Sequence, residues 1–109
     1  MIEQRPGVDI ELARQQWRDG SRRIERARDE PALYARLHVQ VELVIAELRR
    51  RIGQTFTLAE LAELYARADD WARFVLDEAE PDASPPPDAS TVADAAFHTY
   101  ARGASDYAP

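Results

Sequence analysis

Apolar residues recur three and four positions apart along three long segments of this 109-residue chain, between residues 10 and 27, 31 and 52, and 58 and 79. This spacing places the apolar side chains along one side of an α-helix, where they form the seam through which helices pack. Short connections join successive segments, as in antiparallel bundles. The sequence therefore predicts an all-α fold, an antiparallel three-helix bundle in a single domain.

Local signals mark the expected ends of these helices. Asp9 is a good N-cap for the first helix, and Pro31 fits the first turn of the second. Gly53 follows three arginines in the last turn of the second helix, which is typical of a helix C-terminus. Thr57 and Glu60 have the spacing of a capping box. The third helix is expected to run unbroken from this box to about residue 79.

A proline-rich segment, PDASPPPDAS at residues 81–90, separates the three long helices of residues 1–80 from a short fourth helix at 91–103. Proline-rich sequences of this kind are extended and fairly stiff. The fourth helix carries Phe97 and Tyr100, and residues 104–109 form a tail that is loose unless Tyr107 docks. The fourth helix either folds back to complete the bundle or docks on a partner through its aromatic residues.

Composition excludes several classes of protein. The chain has no cysteine, so disulfides, thiolate nucleophiles and cysteine-bound metals are excluded. Neither a signal-peptide pattern nor an apolar run of about 18 residues is present, and we expect a cytoplasmic protein. The net charge of −6 disfavours binding to phosphate backbones. All 14 basic residues are arginines, which we attribute to the codon bias of a high-GC genome.

No enzyme motif is recognisable, since the chain lacks a Gly-rich phosphate loop, a nucleophile elbow and an HExxH sequence. Its two histidines each have a carboxylate one helical turn away, in the pairs His38 with Glu42 and Asp94 with His98. A metal site built from both pairs is one hypothesis, although known di-metal bundles use a different spacing. We expect a non-enzymatic protein without catalytic, cofactor or metal sites.

A ridge of arginines follows the first helix at intervals of four residues: Arg14, Arg18, Arg22 and Arg26. Such a ridge can contact phosphates or an acidic partner helix. Acidic residues interleave with the arginines within ion-pair reach, however, and this pattern is typical of a solvated helix face. Nucleic-acid binding is therefore an alternative hypothesis rather than the first one.

The segment FTLAELAEL at residues 56–64 resembles the opening helix of a helix-turn-helix motif. A DNA-binding version of that motif needs a turn and then a recognition helix. Because the third helix is expected to continue without a break and to carry acidic residues, we do not predict DNA recognition from this segment.

The second helix is apolar on both sides, because Val39, Leu43 and Ala46 lie opposite its main seam. One hypothesis makes this helix central, with the first and third helices on one side and the fourth helix on the other. The other makes the second stripe a homodimer face or a groove for a partner helix.

These observations predict a non-enzymatic helical adaptor or regulatory protein that acts through protein–protein contacts. The alternatives are a nucleic-acid-associated protein and, third, a small helical metal-binding protein. A protein partner or a homodimer is expected, and a membrane is not. The predicted partner-binding residues are Arg14, Arg18, Arg22, Arg26, Val39, Leu43, Phe97 and Tyr100.

Overall fold

The computed structural model describes residues 9–79 and 89–107, apart from the side chains of residues 69, 70 and 79, and these residues form an all-helical structure. The all-α class predicted from the sequence is therefore confirmed. A short 3₁₀-helix, Arg26–Asp29, follows the first α-helix. The α-helices of the described residues are α1 (Ile10–Glu25), α2 (Pro31–Ile52), α3 (Leu58–Tyr65), α4 (Ala68–Ala79) and α5 (Ala89–Ala101).

The local end signals act as the sequence predicts. Asp9 caps α1 by accepting a hydrogen bond from the backbone N–H three residues later, at 3.1 Å. Pro31 is the first residue of α2, and Gly53 ends that helix with a φ of 76°, a conformation that glycine adopts without steric cost. Thr57 and Glu60 form both hydrogen bonds of the capping box.

The third segment is broken, and the prediction of one unbroken helix was wrong. α3 ends at Tyr65 and α4 begins at Ala68, after a turn at residues 66 and 67. The turn contains neither glycine nor proline, so it has no local sequence signal. Its effect is that the two halves meet different neighbours, because α3 contacts α1 whereas α4 contacts α2.

The C-terminal helix lies at the centre of the described fold. Every residue from Thr91 to Phe97 is buried. α5 has its largest interface with α1 and also packs on α2, α3 and α4, whereas α1 and α2 contact each other only slightly. The contacts therefore support the expected three-helix bundle only in part, because α5 rather than α2 is the central helix.

Small residues allow this central position. Gly20 of α1 faces α5 so closely that an added Cβ would collide with the Cβ of Asp94. Alanines at positions 93, 95 and 96 keep α5 thin on its buried sides. Phe97 is the large exception, and the rings of Trp17, Tyr65 and Trp71 surround it with centroid distances of 5.1–6.1 Å.

The last turn of α5 and the residues that follow it attach this helix to the connection between α2 and α3. The Tyr100 hydroxyl donates to the carbonyl of Gly53 at 2.7 Å, and the Tyr100 ring stacks on Phe56 at 5.2 Å. The Asp106 carboxylate accepts a hydrogen bond from the backbone N–H of Leu58 at 2.8 Å. Tyr107 is half-buried and lies under the guanidinium of Arg14, so the tail is docked through residue 107.

The predicted fourth helix begins and ends two residues earlier than expected, at Ala89 and Ala101. The proline-rich linker predicted at 81–90 lies mostly outside the described residues, as does the lead at 1–8. No helix in the described ranges combines the length and the apolar character that crossing a bilayer requires.

Candidate functional site

The outer face of α2 is an apolar stripe on the surface of the described structure. We give this name to five residues spaced three or four apart: Ala32, Ala35, Val39, Leu43 and Ala46. Val39, at the middle of the stripe, has 61% of its surface exposed. The three alanines are also exposed and Leu43 is half-buried. The outer face thus contains both residues of α2 that the sequence predicts to bind a partner.

The opposite side of α2 is buried against the rest of the fold. Its fully or nearly fully buried residues are Gln40, Val41, Val44, Ile45 and Leu48. α5 covers this side together with α4. One of the two hypotheses required the fourth helix to cover Val39 and Ala46. The fourth helix, α5, packs on the opposite side of α2 and leaves these two residues exposed.

Positive charge borders the C-terminal end of the outer face. Glu47 accepts hydrogen bonds from Arg50 at 2.9 Å and from Arg51 at 2.7 Å, so a single carboxylate serves two guanidinium groups. Arg49 is exposed and forms no ion pair with any residue that the structure describes. This end of the stripe consequently carries a local surplus of positive charge although the whole chain is acidic.

The arginine ridge lies on α1, except for Arg26, which is in the 3₁₀-helix that follows, and the ridge is partly neutralised. Arg14 lies 3.8 Å from a carboxylate oxygen of Glu11, and Arg22 lies 3.9 Å from one of Asp19. Arg18 and Arg26 are exposed and are joined by no ion pair to another described side chain. The carboxylates stand among the arginines that a nucleic acid would have to contact, which weakens the attraction of this ridge for phosphate backbones.

A pocket of about 170 Å³ opens between α1 and α5, and it includes two residues of the ridge. Trp17 and Ala101 give it apolar walls, and Tyr107 closes one side. The residues that line this α1–α5 pocket are Arg14, Trp17, Arg18, His98, Ala101 and Tyr107.

His98 lies in an environment of positive charge. Burial lowers the pKa of its imidazole below the ordinary value of 6.5, and the nearby guanidinium groups of Arg102, Arg18 and Arg22 lower it further. All of these influences disfavour the protonated ring, so His98 is held in its neutral form at pH 7.

The structure does not bring the two histidine–carboxylate pairs together as a metal site. His38 is exposed on α2, and its ring packs edge-on against Tyr34 at 4.5 Å. Asp94 is buried and accepts a hydrogen bond from the hydroxyl of Tyr65. Among the described residues, no group of three or more histidines and carboxylates is placed to hold a metal ion.

Both aromatic residues predicted to bind a partner belong to the protein's own fold. Phe97 is fully buried, and Tyr100 is half-buried and bonded to the backbone of Gly53. α5 therefore docks on its own chain. A partner reaches Phe97 only if α5 leaves the core. The outer face of α2 and the ridge of α1 are therefore the predicted contact sites that stay accessible in the folded chain.

Comparison of the chain with protein families, with characterised proteins and with solved structures finds no match.

Sequence reasoning missed part of each surface. Ala32 and Ala35 extend the outer face by about two turns, and their spacing from Val39 was the available signal. Arg102 lies one turn after His98 on α5, which the spacing of four also indicates. Trp17 belongs to the apolar seam of the first helix, and nothing in a helical seam shows which of its members will border a pocket.

Proposed function

We propose that this protein is a non-enzymatic adaptor or regulatory protein that binds a helix of a partner protein along the outer face of α2. The observation that carries the proposal is the 61% exposure of Val39 at the centre of a 22-residue helix. The chain's own fourth helix, α5, packs on the opposite side of α2 and does not cover this residue. An apolar stripe that the described fold leaves uncovered is a common property of interaction surfaces.

The dimensions and composition of the stripe suit a helix. Its ends, Ala32 and Ala46, are separated by about 21 Å along the helix axis at a rise of about 1.5 Å per residue. This length corresponds to about four turns of a bound helix, which would present apolar anchors at the i, i+3/i+4 and i+7 positions. The exposed alanines let a second helix approach closely, and Val39 and Leu43 supply the larger contacts.

Charge favours a partner of different sequence over a second copy of this chain. Each copy carries a net charge of −6, so two copies repel each other. A helix with acidic residues beside its apolar anchors instead complements Arg49 and its neighbours.

Affinity capture with two matched variants tests this proposal. Val39→Glu places a charge at the centre of the outer face, whereas Leu12→Glu makes the same kind of change at a 51% exposed leucine of α1. We expect both variants to fold with stability close to that of the wild type, because exposed substitutions change it by about 0.5 kcal/mol. A partner should be retained by the wild type and by Leu12→Glu but lost from Val39→Glu.

The proposal also requires the contact to map to α2. Amide chemical shifts of the labelled protein should change along residues 32–46 when the isolated partner helix is added. A partner retained equally by both variants would contradict the proposal. Light scattering that shows a dimer in the wild type and a monomer in Val39→Glu would contradict the choice of a different partner and assign the face to self-association.

A nucleic acid is the second candidate partner, and it rests on the exposed Arg18 and Arg26, which are joined by no described ion pair. This candidate predicts binding that falls steeply as salt concentration rises. Replacement of Arg18 and Arg26 by glutamine should abolish a mobility shift seen at low salt. The absence of any shift at low salt in the wild type would exclude it.

A further inference from the structure

The α1–α5 pocket presents hydrogen-bond donors and positive charge but no carboxylate. Arg14, Arg18 and His98 contribute the charged or titratable groups of its lining, and Trp17 contributes an indole. The indole Nε1–H of Trp17 is itself buried, so Trp17 contributes apolar surface to the pocket. The polar groups that the lining offers to a ligand are therefore two guanidinium groups and an imidazole, a set that favours an anion.

The guanidinium of Arg14 is held in position at the pocket. It lies 5.5 Å from the centroid of the Tyr107 ring, a cation–π arrangement, and 3.8 Å from a carboxylate oxygen of Glu11. Only about a fifth of this side chain is exposed. A positioned guanidinium loses less conformational entropy on binding an anion than a mobile one does.

Charges from both helices converge on His98. Arg18 and Arg22 act on it from α1, and Arg102 acts on it from α5. All three are positive, and no described ion pair neutralises Arg18 or Arg102. Like charges assembled in this way repel each other, and an anion placed among them would remove that cost.

We propose that the α1–α5 pocket binds a phosphoryl dianion, as inorganic phosphate or as the end of a small phosphate monoester. The planar donor groups of arginine match the oxygens of a phosphoryl group, and a doubly charged ligand offsets more of the converging charge than a carboxylate does. A volume of about 170 Å³ accommodates a group of this size. This site is separate from the outer face of α2, so either proposal stands if the other fails.

Proton NMR of the two histidine rings tests the site in the intact chain. Inorganic phosphate is added at pH 7.5, where it is mainly a dianion, against sodium chloride at equal ionic strength. The ring resonances of His98 should shift in a saturable way with phosphate and not with chloride. The resonances of His38, which is exposed on α2, serve as the internal control and should not shift.

Variants that each remove one positive charge distinguish phosphate binding in the pocket from a general attraction of phosphate to the charge of the protein. Arg18→Gln should weaken phosphate binding about tenfold, the effect of losing about 1.4 kcal/mol of a charge-assisted contact. Arg102 does not line the pocket and acts on it only through its charge, so Arg102→Gln should weaken phosphate binding less than Arg18→Gln does. Arg49→Gln removes the same charge from an exposed position on α2 and should leave the affinity unchanged. All three residues are exposed, so the variants should keep the fold.

Three results would overturn the proposal. The first is an absence of any phosphate-specific shift at His98. The second is an equal loss of affinity in Arg49→Gln, which would show attraction by net charge alone. The third is a shift of His98 with acetate or with a short single-stranded oligonucleotide but not with phosphate, which would show that the pocket selects a carboxylate or a polymer instead.

Discussion

Among single residues, Gly20 controls how closely α1 and α5 approach each other. Its missing side chain leaves room for Asp94, whose Cβ would collide with an added methyl group. Overpacking costs about 1–3 kcal/mol, and a close contact between two backbone-attached carbons belongs at the upper end. Alanine gains only about 1 kcal/mol over glycine within a helix.

Gly20→Ala should therefore lower the free energy of unfolding by about 1–2 kcal/mol, measured by denaturant titration. Gly103→Ala is the control, because a Cβ there would meet its nearest neighbour at 3.5 Å, an ordinary contact. We expect the control to change stability by less than about 0.5 kcal/mol. A Gly20→Ala protein as stable as the wild type would show that α1 and α5 are not in this contact.

His98 makes the folded state sensitive to acid. Its folded-state pKa lies below 6.5, so the unfolded chain binds a proton more readily. The contribution of His98 to stability is complete above pH 6.5 and is lost as the pH falls through the folded-state pKa. The melting temperature should fall over that range, and the decline should be shallower in His98→Gln than in His38→Gln. Equal declines in the two variants would contradict this origin.

At the scale of the helices, the sequence predicts the helix ends that have a local capping signal. It does not predict which helices pack against each other. Asp9, Pro31, Gly53 and the Thr57–Glu60 box act through contacts within a few residues, so sequence alone identifies them. The break after Tyr65 depends on different neighbours for α3 and α4, which no local pattern reveals. Each seam shows which side of a helix is buried but not which helix covers it.

The same reasoning explains what was missed about α5. Its alanine-rich sequence indicates a short helix of modest apolar character, yet every residue from Thr91 to Phe97 is buried. Small side chains give little hydrophobic signal while allowing close contact with several helices at once. The outer face of α2 was predictable through Val39 and Leu43, since a second stripe on one helix is visible in the sequence.

Because α5 is the central helix, we expect truncation of its buried Phe97 side chain to reduce the stability of the fold strongly. Phe97→Ala should lower the free energy of unfolding by about 3–5 kcal/mol, because the fully buried ring packs among three other aromatic side chains. Phe74→Ala removes the same ring at a position that is 60% exposed on α4 and should have an effect of about 0.5 kcal/mol. Similar losses in both variants, measured by denaturant titration, would contradict a core built around α5.

For the whole molecule, the central position of α5 has two consequences. It occupies the buried side of α2 and so leaves the outer face open, and it forms the α1–α5 pocket together with α1. Both proposed contact sites therefore depend on α5 docking on its own chain. If α5 were a tethered peptide that docks on another protein, the core side of α2 would be exposed and the pocket would not exist.

Native-state hydrogen exchange of the full chain tests this dependence most directly. If α5 is the central helix, the backbone amides of residues 92–97 are among the slowest to exchange, with a free energy of opening equal to that of global unfolding. Exchange of these amides at the rate of an unstructured peptide, while the amides of residues 41–48 in α2 stay protected, would contradict the account.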